Sequence, residues 1–429
     1  MSATVSRERI LSWNCEGGGP FQPQAGEVVP ADIGFLSGNP IGSAMEFAIT
    51  EEQKLLRQTV QEFVAKEISP HVEAWEEKGD VPDSVFRKLG EIGLLGAPIP
   101  VEYGGAGLDA VTYAMLTEEL AKGCSSLRTT ISVNTSLFGM NVLLFGSEAQ
   151  KRFYLPKISS GEKRGAWALT EPQSGSDAAG LRTTARRKGD HWVLNGHKMW
   201  ISDGGKADYH VVYARTDEFD PRTKRNHIAT FVVHKDDPGF KVGSVESKTK
   251  LGLRASPTAE LLYEDCTIPA DRMLGKPDSG WEQANKILNG GRLSVAAGAV
   301  GIAQAALDAG IAYVKSREAF GKKIGEFQLV KEHVAYMTLE VETMRLLVYK
   351  AAWMKDQGLD NRLAVSLAKL HAGEACTRVT ERAVQLHGGN GFSGEYPVER
   401  YWRDSKIIGI YEGTNEIQKI IVAGEVLDR

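Results

Sequence analysis

From Phe47 onward, apolar residues recur every three or four positions. Leu55, Leu56, Val60, Phe63, Val64 and Ile68 follow the segment Thr50-Glu51-Glu52-Gln53. That spacing lines one face of a helix, and a threonine followed by acids marks its start. Further helical patterns cover about residues 83–93, 108–122, 125–145 and 147–155, separated by Gly/Pro loops such as Pro98-Ile99-Pro100 and Gly104-Gly105. The pattern predicts an N-terminal helical domain over 45–156.

Near residue 165 the period falls from 3.6 to 2. His191–Gly196, Lys198–Ser202, Tyr209–Tyr213, Ala229–Val233 and Ala259–Tyr263 are short, rich in branched and aromatic residues, and bounded by Gly, Asp, Asn and Pro. Such runs read as strands of an antiparallel sheet or small barrel, here over 157–277. After Trp281 the helical period returns, over about 281–316, 326–357, 361–388 and 404–427. Four long helices in sequence predict a bundle occupying 278–429. The expected fold class is α+β, with helices, then sheet, then helices. Without strand–helix alternation a doubly wound nucleotide fold is excluded.

Composition adds limits. The 429 residues suffice for about three domains at roughly 150 residues each. The net charge is −4 and no block of Lys/Arg occurs, which excludes a basic nucleic-acid face. Cys15, Cys124, Cys266 and Cys376 lie far apart without a CxxC pair. That argues against a zinc site or a disulfide scaffold and for a reducing compartment. Glu8, Glu27 and Asp32 beside Arg7 and Arg9 do not suit a mitochondrial transit peptide, so the cytoplasm is expected rather than the mitochondrial matrix. The most apolar stretch, Leu293–Val314, is interrupted by Gln304 and Asp308 and reads as a buried helix, so no membrane span is expected. Residues 1–44, with Gly17-Gly18-Gly19 and mixed charges, lack the apolar core of a secretory signal and read as a loosely ordered extension.

Gly389-Asn390-Gly391-Phe392-Ser393-Gly394 matches a dinucleotide fingerprint. That fingerprint works only between a strand and a helix; here a helix precedes it and Glu395-Tyr396-Pro397 follows. The sequence has no GxSxG elbow, P-loop or HExxH, and no histidine spacing suited to a metal. His387, at a helix end, reads as a structural histidine.

Two segments are more specific: Ala168-Leu169-Thr170-Glu171-Pro172-Gln173-Ser174-Gly175-Ser176-Asp177-Ala178-Ala179-Gly180 and Ile410-Tyr411-Glu412-Gly413-Thr414-Asn415-Glu416-Ile417-Gln418. On the residues alone, Glu412 beside a glycine is either a buried base of raised pKa or an acid favouring a helix N-terminus. Together with Trp200-Ile201-Ser202, the Arg317/Phe320-Gly321 segment and Gln385-Leu386-His387-Gly388-Gly389, these segments resemble the acyl-CoA dehydrogenase family over about residues 45–429.

The resemblance implies FAD as cofactor, an acyl-CoA thioester as substrate, an electron-transferring flavoprotein as electron acceptor, and a homotetramer. It implies Glu412 as the base that takes the Cα proton. Some relatives carry the base one place before the matching Arg292; here that place is Gly291, which cannot act. Trp167, Leu169 and Thr170 match one flavin-lining strand, and Trp200, Ile201 and Ser202 another, with Ser202 where the family usually has Thr. Ser176 matches a residue at the thioester and cofactor edge. Arg317, Phe320 and Gln328 match contacts to a neighbouring subunit's FAD. Gln385, Gly388 and Gly389 match a further cofactor segment, and Thr414 and Glu416 another. Asn289, Arg292, Tyr411 and Gly413 match substrate-site positions.

Ser132-Val133-Asn134 resembles short-chain members. Arg128, four residues earlier on the same helix, has the spacing to Ser132 found in glutaryl-CoA dehydrogenases, where the pair holds a distal carboxylate. Ala121 stands where those enzymes carry an acid. Arg128 therefore reads either as a carboxylate reader or as an arginine reaching solvent or a protein acid. The expected activity is dehydrogenation of a short or branched acyl-CoA. Alternatives are a dicarboxylic acyl-CoA, an acyl group on a carrier protein, an oxidase or monooxygenase of the same fold, and a non-catalytic scaffold.

Overall fold

Thr50 starts the first helix as the pattern predicts. Its hydroxyl accepts the Gln53 N–H at 3.1 Å and the Gln53 side chain accepts the Thr50 N–H at 3.0 Å, satisfying two amides with no helical partner. The computed structural model describes residues 49–427; the expected extension over 1–44 lies outside them. Seven helices follow: α1 (Glu51–Phe63), α2 (Val72–Lys78), α3 (Asp83–Glu91), α4 (Ala110–Gly123), α5 (Ser125–Ser132), α6 (Met140–Phe145) and α7 (Glu148–Ser159). α5 and α6 are joined by a wider π-type stretch, Val133–Gly139, so the expected 125–145 helix is continuous but not uniform. Val60, Val64 and Ile68 are buried as their spacing predicts, whereas Leu55 points outward.

The sheet runs through β1 (Gly165–Ala168), β2 (Thr184–Lys188), β3 (His191–Ser202), β4 (Tyr209–Arg215), β5 (Ile228–His234), β6 (Phe240–Glu246), β7 (Thr258–Pro269) and β8 (Met273–Leu274). The order is β6-β7-β3-β2-β4-β5-β8, with β1 alongside β4. Most pairs are antiparallel, but β4 runs parallel to both β1 and β2. Among the described residues the hydrogen-bonded path ends at β6 and β8, so it is an open sheet rather than a closed barrel. The two strands expected at 191–196 and 198–202 are one strand, β3, which absorbs two register shifts against β7 at Leu194/Gly196 and Lys198/Ile201. Such shifts re-aim side chains without ending the strand.

After α8 (Gly280–Ser316) come a two-stranded ribbon, β9 (Glu318–Ala319) and β10 (Lys322–Lys323), then α9 (Gln328–Asp356) and α10 (Arg362–His387). α8 is long and apolar enough to cross a membrane by length and composition, and 72% of its most apolar stretch is buried within the chain. It is the central helix, packed between α4, α9 and α10. The expected fourth helix, 404–427, is divided. α11 (Val398–Ser405) ends in a tight turn at Lys406–Gly409, and α12 (Asn415–Leu427) begins only after an irregular stretch. The break falls at Glu412 (φ 56°) and Gly413 (φ 91°), both left-handed and incompatible with a helix.

Candidate functional site

A non-glycine residue in the left-handed region costs on the order of 1–3 kcal/mol and persists only where its surroundings hold it. Around Glu412 they do. Arg292 of α8 donates from Nε to the Glu412 carbonyl at 3.1 Å, and Lys369 of α10 donates from Nζ to the Gly413 carbonyl at 2.6 Å. Gln418 of α12 donates to the Gly413 carbonyl at 3.2 Å. Thr414 caps α12 by accepting the Ile417 N–H at 3.3 Å.

The turn aims the Glu412 side chain at α8, not at the α12 N-terminus. The carboxylate packs on Gly291, where a Cβ would lie 2.5 Å from Oε2. Oε2 is shut off from solvent and has no hydrogen-bond partner among the described residues. Burial raises the Glu412 pKa to about 7, against the opposing pull of Arg292, Lys369 and Arg128.

The carboxylate faces a cavity of about 380 Å³. One wall is the end of β1 and the residues beyond it, Trp167, Leu169 and Thr170; the next is the end of β3, Trp200, Ile201 and Ser202. The two are tied where the Met199 N–H donates to the Thr170 carbonyl at 2.9 Å. Beneath them the buried Lys198 Nζ donates to the Leu169 carbonyl at 3.0 Å and to Glu171 Oε1 at 2.7 Å. Lys198 and two backbone amides hold the Glu171 carboxylate down to about 2 despite its burial. Desolvation still lowers the Lys198 pKa, so the pair gives a rigid joint more than net stability. Trp200 sits in the second β3 shift at φ 60° and remains 56% exposed. Ser176 completes this rim.

At the far end lies Arg128, 1% exposed. Its Nη2 donates to the Tyr411 hydroxyl at 2.6 Å, while Nε and Nη1 are buried without partners. The guanidinium lies on Gly298, where a Cβ would come within 2.7 Å of Nε. Ser132 lines the same cavity, but its hydroxyl bonds Ser294 at 2.8 Å. Arg128 is closed off from solvent, and among the described residues no carboxylate contacts it.

Sequence models for the N-terminal, middle and C-terminal domains of acyl-CoA dehydrogenase match residues 50–162, 166–266 and 278–427. The chain belongs to the acyl-CoA dehydrogenase family. It is 43% identical over 89% of its length to the whole of the short-chain specific acyl-CoA dehydrogenase of Clostridium acetobutylicum. Butyryl-CoA dehydrogenase of Megasphaera elsdenii superposes with a TM-score of 0.86 at 39% identity, covering 89% of this chain and 100% of that one. A glutaryl-CoA dehydrogenase in complex with glutaryl-CoA also gives 0.86, at 41% identity, covering 90% and 97%.

In this acyl-CoA dehydrogenase the cavity unites Arg128, Ser132, Trp167, Leu169, Thr170 and Ser176 with Trp200, Ile201, Ser202, Arg292, Tyr411, Glu412 and Gly413. Asn289 lies outside this cavity. It points to the other side of α8, donates to Asn361 at 2.9 Å, and lines a separate cavity with Lys355 and Asp356. Arg317, Phe320, Gln328, Gln385, Gly388, Gly389 and Glu416 are exposed and away from the cavity, Phe320 at 95%. His387 is buried, bonds the Ala383 carbonyl at 2.8 Å and stacks on Tyr313, as a structural histidine does. The glycines after it form a tight turn between α10 and α11, with no strand ahead. Cys124, Cys266 and Cys376 are free and buried; Cys15 lies outside the described residues.

Sequence reading missed Lys369 and Gly298. Lys369 lies among Val365, Ala368 and Ala372 on the buried face of α10, and a charge set in an apolar stripe is the signal that marks it. Gly291 and Gly298 are two turns apart on one face of α8, giving room to Glu412 and to Arg128.

Proposed function

We propose that the chain removes hydrogen from Cα and Cβ of a short acyl-CoA thioester, straight or branched, leaving the trans-2-enoyl-CoA. The observation that carries this is the half-buried Glu412 carboxylate at the cavity wall, its Oε2 shut off from solvent without a partner among the described residues and its pKa raised to about 7. A base with its pKa near the working pH combines a useful ionised fraction with affinity for the proton. Glu412 accepts the Cα proton. Its backbone N–H, which makes no hydrogen bond among the described residues, donates to the thioester carbonyl as charge develops there. Arg292 holds the turn so that both groups point into the cavity.

The walls suit FAD. Trp200 offers an exposed aromatic face, and among the described residues the hydroxyls of Thr170 and Ser202 make no hydrogen bond. Trp167, Leu169, Thr170, Ser176, Trp200, Ile201 and Ser202 would hold the flavin ring. Arg317, Phe320, Gln328, Gln385, Gly388, Gly389, Thr414 and Glu416 would hold the remainder across subunits of a homotetramer, in keeping with the exposure of most of them here. Bound FAD supplies the two-electron acceptor for the Cβ hydrogen. Electrons then leave to an electron-transferring flavoprotein, in the cytoplasm. The test is a panel of acyl-CoAs scored anaerobically by bleaching of the flavin; a panel without any bleaching substrate overturns the reading.

Arg128 favours a second reading, a dicarboxylic acyl-CoA. A buried guanidinium with two unpartnered N–H groups calls for an anion, and the acyl cavity is where one would arrive. Dicarboxylic thioesters in the same panel decide between the two.

A further inference from the structure

Lys369 lies in the middle of α10 with no exposed surface. Its ammonium touches one oxygen, the Gly413 carbonyl at 2.6 Å. Among the described residues no carboxylate lies within ion-pair distance of it. A buried ammonium without a counter-ion is costly, and desolvation lowers its pKa to about 8. The acids that oppose this are Glu412, across the turn, and Glu416, on the first turn of α12. One turn along α10, Gly373 leaves room for Asn415; a Cβ there would collide with its side chain. α10 thus presses a fitted face, Lys369 and Gly373, against the segment carrying Glu412.

If only the turn needed holding, a neutral donor would serve, as Gln418 does on the same carbonyl. A lysine adds charge. The groups that act on the Glu412 carboxylate are Arg292 from α8, Lys369 from α10 and Arg128 from α5. Arg128 belongs to the acyl end of the cavity and Arg292 bonds the Glu412 backbone. Lys369 holds the turn through the Gly413 carbonyl and does not line the cavity.

We propose that Lys369 is a positioning residue for the base: its ammonium clamps the Gly413 carbonyl to hold the left-handed turn, and its charge favours the carboxylate form of Glu412. The inference rests on the reading of Glu412 as base. It assigns a division of labour in which the donor holds geometry and the charge sets protonation.

The test uses FAD-loaded protein with Lys369→Met, which removes donor and charge, and Lys369→Gln, which keeps a donor. Rates of flavin bleaching by a thioester that the wild type oxidises are followed against pH, and the protonated Glu412 carboxyl is followed by its infrared band without substrate. With Met, the acid limb and the infrared titration should move up by about one unit, a roughly tenfold change in proton affinity, and the plateau rate should fall. Gln should restore most of the plateau while leaving the limb shifted. A limb and band unmoved in both variants overturn the proposal, even if stability or flavin content drops. If the Met variant does not fold, the limb and band of the Gln variant decide alone. A Glu412→Gln enzyme that still bleaches at the wild-type rate removes the base itself, a failure distinct from an unmoved limb.

Discussion

The Glu412 carboxylate occupies the space that a side chain at Gly291 would need, with a Cβ there only 2.5 Å from Oε2. The base and the helix beneath it are fitted to each other. Gly291→Ala should therefore push the carboxylate off its aim while leaving the flavin walls untouched. The expected outcome is a loss of at least tenfold in kcat/KM with normal flavin content, since a displacement of about 1 Å can cost on the order of a hundredfold. Wild-type kcat/KM in that variant would show that the carboxylate is free to move without consequence.

Glu412→Gln should keep FAD and lower turnover by a factor of roughly 10²–10⁴ or more, because an amide cannot accept the Cα proton. It should also change stability in a pH-dependent way. The Glu412 pKa rises from 4.5 to about 7 on folding, so its protonated form favours the fold. That contribution is complete below about pH 4.5 and is lost as pH rises through about 7. Across that window the wild type should lose up to about 3 kcal/mol relative to the Gln variant. Denaturant unfolding of both proteins at pH 5 and pH 8 measures it; a constant difference would contradict the burial of the charge.

Arg128→Met should separate the two substrate readings. If the guanidinium reads a distal carboxylate, the variant loses roughly 2–5 kcal/mol of binding for the dicarboxylic thioester and keeps or gains activity with butyryl-CoA. A wild type that prefers butyryl-CoA to every dicarboxylic thioester would make Arg128 structural, its role being the 2.6 Å bond to Tyr411 beside the base.

Arg317→Ala should weaken flavin retention and leave acyl preference unchanged. Arg317 is exposed and away from the cavity of its own chain, which suits a contact to the pyrophosphate of a neighbouring subunit. A charge-assisted contact of that kind contributes roughly 1.5–3 kcal/mol. The ratio of flavin to protein absorbance after dialysis reads the effect; full flavin content would contradict the placement.

What the sequence determined by itself was whatever depends on neighbours along the chain. Period and turn chemistry were enough to place the helical, sheet and helical regions, and Thr50 as a cap. The motifs pointed to Glu412 and Trp200, and the four-residue spacing to Ser132 pointed to Arg128. Other features depend on atoms far apart in sequence. β3 reads as two strands because Gly196-His197 looks like a break, yet its pairing with β7 absorbs the shift. The last helix reads as continuous because Glu412 has no local reason to turn left-handed; Arg292, 120 positions from Glu412, and Lys369, 44 from Gly413, hold the turn there. Asn289 is three residues from Arg292, close enough to share a motif, but Arg292 faces the acyl cavity and Asn289 the cavity beside it. The same holds for charge. A glutamate near pH 7 and an arginine with two unpartnered N–H groups arise only when packing removes water and limits the partners, and no spacing along a chain encodes that.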